Sequence, residues 1–114
     1  MVLDGNDGSR ESYNNPMNAT PEPIQHEDAG GRGAFFIVRD GKRVAELTYS
    51  SSGADVVASH TWVDPAQRGG SLASQLVTAL VDWARSADRK IVPVCSYVRK
   101  VFGRSNQYDD VWKK

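Results

Sequence analysis

The sequence predicts an α/β (α+β) domain: a mixed, mostly antiparallel sheet in the order βββαβα, with one main amphipathic helix. Three observations predict it. β-rich runs follow one another between residues 34 and 63. At Leu72 the apolar period changes from about 2 to about 3.6 residues. A short β-branched run then returns at Lys90. A helix followed by such a run normally rejoins the same sheet, which makes the pairing mixed.

The first strand is Ala34-Phe35-Phe36-Ile37-Val38, closed by Asp40-Gly41, a strong hairpin signal. Arg43 to Tyr49 is its partner. After Ser50-Ser51-Ser52-Gly53 comes a longer strand, Asp55 to Val63. Regular alternation would put Val56, Ala58, His60 and Trp62 on one face and Val57, Ser59, Thr61 and Val63 on the other. Asp64-Pro65 breaks the run, and Gln67-Arg68-Gly69-Gly70-Ser71 is a glycine-rich loop. Leu72, Leu76, Leu80, Trp83 and Ala87 then fall at helical spacing, with Ala73, Val77 and Ala84 widening the stripe over about four turns. Asp88-Arg89 ends the helix, and Lys90 to Cys95 reads as a short buried strand. Ser96 to Phe102 is a short helix stopped by Gly103, and Tyr108 and Trp112 are placed to close the core.

At 114 residues the chain fits one small domain and excludes a multidomain enzyme. No apolar run approaches the ~18 residues that span a bilayer, so no membrane partner is expected. The start, MVLDGNDGSRESYNN, has neither the basic nor the apolar segment of a secretory leader. The single cysteine, Cys95, cannot form an internal disulfide, which points to a reducing cytoplasm.

Formal net charge is zero, but it is unevenly spread. Residues 1–33 carry six acids against two bases, a net −4, and residues 34–114 carry eight acids against twelve bases, a net +4. The first region also holds Pro16, Pro21 and Pro23 and a single aromatic, Tyr13, too little to offset the entropy of ordering it. Residues 1–30 are therefore expected to be a disordered acidic tail and residues 31–114 the folded domain. Met17 is an alternative start of translation.

A glycine loop between a strand and a helix sits where backbone amides lack intrahelical partners and the helix dipole favours an anion. Gly69 and Gly70 are either a cradle for phosphate or a flexible turn after Pro65. The loop has neither the pattern of a nucleoside triphosphatase nor the three glycines of a dinucleotide site. His26, His60 and Cys95 are too scattered for a zinc site, so no metal is expected. No nucleic-acid-binding motif accompanies the modest basic excess.

Val63-Asp64-Pro65-Ala66-Gln67-Arg68-Gly69-Gly70-Ser71-Leu72-Ala73 resembles the acetyl-CoA signature of GCN5-related N-acetyltransferases, Val-x-Pro-x-x-Arg-Gly-x-Gly-Ile-Ala/Gly, with Ser71 in place of the second glycine. Together with His60-Thr61-x-Val63, Pro93-x-Cys95-Ser96-Tyr97 and Tyr108-x-Asp110, the match is similar to the small cysteine-containing, YjdJ-like branch of that family. The resemblance covers about residues 34 to 112.

It implies a minimal acetyltransferase fold in which the strand ending at Cys95 splays from the strand carrying Trp62 and Val63, with pantetheine in the gap and its amides held by main-chain groups of Trp62 and Val63. Arg68, Gly69, Gly70, Ser71, Leu72 and Ala73 would hold the phosphates of CoA. Arg68 is the best single contact, and Arg99, Lys100 and Arg104 are candidates for the 3′-phosphate. The Ser71 hydroxyl would donate to phosphate or cap the helix. Cys95 is either an inert core residue or the nucleophile that takes the acetyl group. The second role needs the thiolate, favoured by a helix start at Ser96 to Val98 or by His60, Arg99 or Lys100. His60 is a candidate base. Tyr97 and Tyr108 are core aromatics or proton donors to the departing sulfur.

The implied function is acetyl-CoA-dependent N-acetylation of an amine, a macromolecular one included, through acetyl-Cys95 or direct attack. The alternative is a non-catalytic module that binds or senses CoA and acetyl-CoA.

Overall fold

The computed structural model describes residues 23–114 and shows a single sheet covered on one face by helix. Residues 1–22, with Met17 and most of the expected tail, lie outside the described residues. Strands β1 (Gln25–Ala29), β2 (Arg32–Arg39), β3 (Lys42–Ser52), β4 (Asp55–Val63) and β5 (Lys90–Pro93) lie side by side in chain order. The first four are antiparallel, and β5 runs parallel to β4 after the crossover through α1 (Leu72–Ser86). Helix α2 (Ser96–Gly103) follows β5.

The hairpin expected at Asp40-Gly41 forms, with both residues at positive φ (52° and 75°), the conformation whose twist matches that of the flanking strands. Of the expected helical stripe, Leu72, Leu76, Val77, Leu80 and Ala84 are buried and are joined by Val81, whereas Ala73 and Trp83 are half-buried and Ala87 is exposed just past the end of the helix. The buried side chains pack with Phe35, Ile37, Leu47, Val56, Ala58 and Ile91 from the sheet. Complete burial of a side chain such as Leu76 or Leu80 contributes about 1.5–3 kcal/mol. Val98, Val101 and Phe102 of α2 close the same core. Tyr108 stacks on Phe102 at 5.0 Å, and Trp112 meets that ring edge-on at 5.6 Å. Beside β5, Ile91 is bonded to the chain's end at both polar groups, accepting from Lys113 N–H and donating to the Val111 carbonyl.

One boundary differs. The tail reading placed residues up to 30 outside the domain, yet 25–29 form β1, paired residue for residue with β2. All five residues are exposed, so nothing in their composition announces a strand. What holds β1 is reach into the sheet. His26 stacks on Phe35 at 4.1 Å and meets Trp83 edge-on. The buried Tyr49 hydroxyl donates to Asp28 at 2.6 Å and lies 2.6 Å from His26 Nε2. A phenol has one proton, so with Asp28 as its acceptor it accepts from His26 Nε2–H. Burial, reinforced by Asp28, raises Tyr49 well above the ordinary range for tyrosine and keeps it neutral. Glu27 pairs with Arg43 at 3.2 Å.

Candidate functional site

The sheet opens between β4 and β5. Their pairing runs from Asp55 and Lys90 to Ala58 and Pro93, and the last link is Cys95 N–H to the Ala58 carbonyl at 2.8 Å. The departure comes at Pro93, whose fixed φ suits a three-residue turn in which Val94 N–H, next in line for β4, folds back instead to the Val92 carbonyl at 3.0 Å. The chain then enters α2, while β4 continues to Val63 paired with β3 alone. Asp64 N–H donates to the Val44 carbonyl on the β3 side. By alternation the main-chain groups of Val63, and of Thr61 two residues earlier, face the gap; those of Trp62, expected from sequence to hold pantetheine, face β3 instead.

A bulge decides which side chains reach the gap. Thr48 faces His60 but Tyr49 faces Ala58, which leaves Ser59 as an extra residue. Its hydroxyl donates to the Thr48 carbonyl at 3.1 Å. The expected face of Val56, Ala58, His60 and Trp62 is therefore broken. Val56 and Ala58 are in the core, and beyond the bulge it is Thr61 and Val63 that continue on that side. Sequence alternation predicts the opposite because a bulge adds one residue without changing composition.

Cys95 is 8 % exposed, and its Sγ lies 3.3 Å from Thr61 Oγ1. It is the residue that caps α2 rather than the end of β5, and its carbonyl accepts from Arg99 N–H at 3.0 Å. His60 is exposed and stands at the mouth of the cleft described below, with no bond to the thiol.

The loop after β4 is built from its aspartate. Asp64 Oδ1 accepts from Ala66 N–H at 3.0 Å and Oδ2 pairs with Lys42 at 3.3 Å. The Ala66 amide, followed by Lys42, holds this carboxyl below the usual carboxylate range. One 3-10 turn (Pro65–Gln67) follows, and Arg68 Nε folds back to the Val63 carbonyl at 3.0 Å. Gly69 has φ +93°, which an L side chain rarely adopts. Among the described residues, the amides of Gly69, Gly70, Ser71, Leu72 and Ala73 have no hydrogen-bond acceptor. They converge at the positive end of α1.

These parts enclose a cleft of about 360 Å³ lined by His60, Thr61, Trp62, Val63, Gln67, Arg68, Gly69, Gly70, Leu72, Ala73 and Tyr97. Most of the residues singled out from sequence are thus together. Two are not. Arg99 is exposed on α2 and does not line the cleft. Ser71 makes no side-chain cap, contrary to one expectation; its Oγ accepts from Gln75 Nε2 at 2.8 Å, and it too is absent from the lining. Gln75 lies four residues on, a spacing at which helical side chains meet, so the pair was legible in principle. Thr61 and Gln67 were not assigned roles from sequence. A larger hollow, about 850 Å³ over Glu27, Asp28, Arg43, Glu46 and Tyr49, shares no lining residue with the cleft and is remote from the glycine loop.

No carboxylate lines the cleft, and among the described residues no group of His, Cys, Asp and Glu is placed to hold a metal. Nor is any helix among them long and apolar enough to cross a membrane. The arrangement offers free amides and a cation for an anionic group, an open strand edge for an extended amide-bearing chain, and a thiol at the end of that edge.

A model for proteins described as GCN5-related N-acetyl-transferase matches residues 34–111. Among solved structures, a GCN5-like protein from Staphylococcus aureus is 24% identical, with a TM-score of 0.61 over 78% of this chain and 87% of that one. Ribosomal-protein-alanine N-acetyltransferase from Brucella melitensis biovar Abortus 2308 is 20% identical, with a TM-score of 0.56 over 67% of this chain and 62% of that one. An aminoglycoside N-acetyltransferase in complex with CoA is 20% identical, with a TM-score of 0.50 over 67% of each chain. No curated protein matches. The structural likenesses are likenesses of fold.

Proposed function

The chain belongs to the GCN5-related N-acetyltransferase family, and from that premise and the cleft's geometry we propose that it binds acetyl-CoA between the glycine loop and the open edge of β4 and passes the acetyl group to an amine through Cys95. The observation that carries this reading is the single cleft that joins unpartnered amides at 69–73 to the β4 edge beside the thiol.

The residues fit the ligand. The loop amides, the α1 dipole and the Arg68 guanidinium suit a pyrophosphate. No heavy atom lies within 4 Å of where a Cβ would stand at Gly69 or Gly70, so the approach is open. The groups of Thr61 and Val63 suit pantetheine amides, as an added strand would be held. Arg68, by donating from Nε to the Val63 carbonyl, couples the loop to this edge.

When bound, acetyl-CoA supplies an acyl group already activated as a thioester. Cys95 Sγ, as thiolate, forms the new carbon–sulfur bond while the old one breaks, an exchange of one thioester for another that is close to neutral in energy. Tyr97, which lines the cleft, is the hydroxyl available to protonate the departing sulfur. His60 at the mouth takes a proton from the incoming ammonium. The free amine then takes the acetyl group, Sγ leaves as thiolate, and the proton that the nitrogen sheds as the amide forms returns to the Tyr97 phenolate. The small cysteine-containing, YjdJ-like branch is the part of the family that this reading favours, in a reducing cytoplasm where Cys95 stays a thiol. The acceptor is an unidentified amine, a macromolecular one included.

One observation favours a second reading, a non-catalytic CoA-binding or sensing module: the cleft lacks a carboxylate and the thiol is nearly buried. Mass spectrometry after incubation with acetyl-CoA separates the two. The expected result is an acetyl adduct on Cys95, absent in Cys95→Ala and removed by added amines. A protein that binds CoA without acquiring the adduct is a binder or transfers directly.

A further inference from the structure

We infer that Thr61 is the positioning residue of the Cys95 thiol, which deepens the reading of Cys95 as the acyl carrier and rests on it. The spacing of β4 alone would give that place to His60, which the regular alternation puts on the face of Val56 and Ala58. The extra residue at Ser59 reverses the phase, so the side chain brought to Sγ is a neutral hydroxyl at 3.3 Å. The bulge thus selects the thiol's partner.

A hydroxyl suits both states of the sulfur. It accepts from the thiol S–H and, by rotating its proton, donates to the thiolate. The second bond is charge-assisted and roughly twice as strong, so the contact favours the reactive state without placing a second charge in a nearly buried position. Both partners are fixed. The Cys95 main chain is bonded on one side to Ala58 and on the other to Arg99, while Thr61 is held in the β3 register opposite Leu47. A β-branched residue in a strand also has little χ1 freedom. The charged or titratable groups on the elements beside the thiol are Asp55 and His60 on β4, Lys90 on β5 and Tyr97, Arg99 and Lys100 on α2, and none of them bonds to Sγ.

The test is the pH profile of Cys95 alkylation by iodoacetamide in the ligand-free full chain, comparing Thr61→Val, Thr61→Ser and His60→Gln. Thr61→Val keeps the shape and removes the hydroxyl. It is expected to slow alkylation at pH 7 about tenfold, the size of one hydrogen bond to a charged group, while leaving the rate at pH 10 unchanged. Restricted access of the reagent to the thiol affects both rates equally and cancels in their ratio. Thr61→Ser restores the wild-type ratio. A wild-type ratio in a folded Thr61→Val protein, or a loss produced by His60→Gln and not by Thr61→Val, overturns the inference. The acyl-carrier reading is scored separately: wild-type protein that never forms acetyl-Cys95 refutes that reading, whatever the alkylation profile shows.

Discussion

Replacing Gly70 by glutamate tests whether the free amides of the loop are the anion site. A Cβ at Gly70 would meet no heavy atom within 4 Å, and its φ is not in the left-handed region that penalises side chains. The folding cost is therefore that of an ordinary exposed substitution, within about 0.5 kcal/mol. A carboxylate beside the start of α1 also gains about 0.3–1 kcal/mol from the helix dipole. For a domain of this size 1 kcal/mol moves the melting temperature by about 4–8 °C, so the variant should melt within about 5 °C of wild type. A phosphate 4 Å away would meet the new charge at a cost between about 1 kcal/mol in water and about 4 kcal/mol at a protein surface. Calorimetric titration with CoA should then show affinity at least about fivefold weaker. Wild-type affinity in a normally melting Gly70→Glu protein would mean that the phosphates lie elsewhere, and a large loss of melting temperature would mean that the loop is packed more tightly than its open surroundings indicate.

Gly69→Ala probes the neighbouring position by a different cause. With φ +93° and empty space around it, the strain lies in the backbone alone, about 1–3 kcal/mol, and urea denaturation should show a loss of that size. Asp64 provides a pH signature. Its folded carboxyl is held below the ordinary range by Ala66 N–H and Lys42, so its contribution is present above the unfolded value near ~4 and is lost as pH falls through the folded one. The urea midpoint of wild type should drop with acidification below about pH 4, and Asp64→Asn, lower at neutral pH, should drop less over that interval.

Much of this fold was legible because its core elements carry their periods in their own residues: Leu72 to Ala84 for α1, Ala34 to Val38 for β2. What was illegible depends on partners distant in sequence. β1 is five exposed residues whose reason to pair is Tyr49, more than twenty positions away, and no local composition encodes that. The Ser59 bulge is hidden for a related reason. His60 and Trp62 continue a flawless alternation, and only the pairing with β3 shows that one residue has been inserted. The glycine loop and Cys95 can be singled out as candidates because their residues are local, whereas the contact of Thr61 with Cys95 spans the sheet and leaves no local mark.

The gap between β4 and β5 also bears on solubility. Unpaired strand edges are where protein chains add to one another, and this fold keeps one open between the last two strands of its sheet. It is short, running from Ser59 to Val63, and it is walled by the glycine loop on one side and by Tyr97 of α2 on the other. A neighbouring protein's strand, with side chains on both faces, meets those walls. A slender, unbranched chain of amides does not. The walls that shape the cleft for its ligand therefore guard the same edge against self-association.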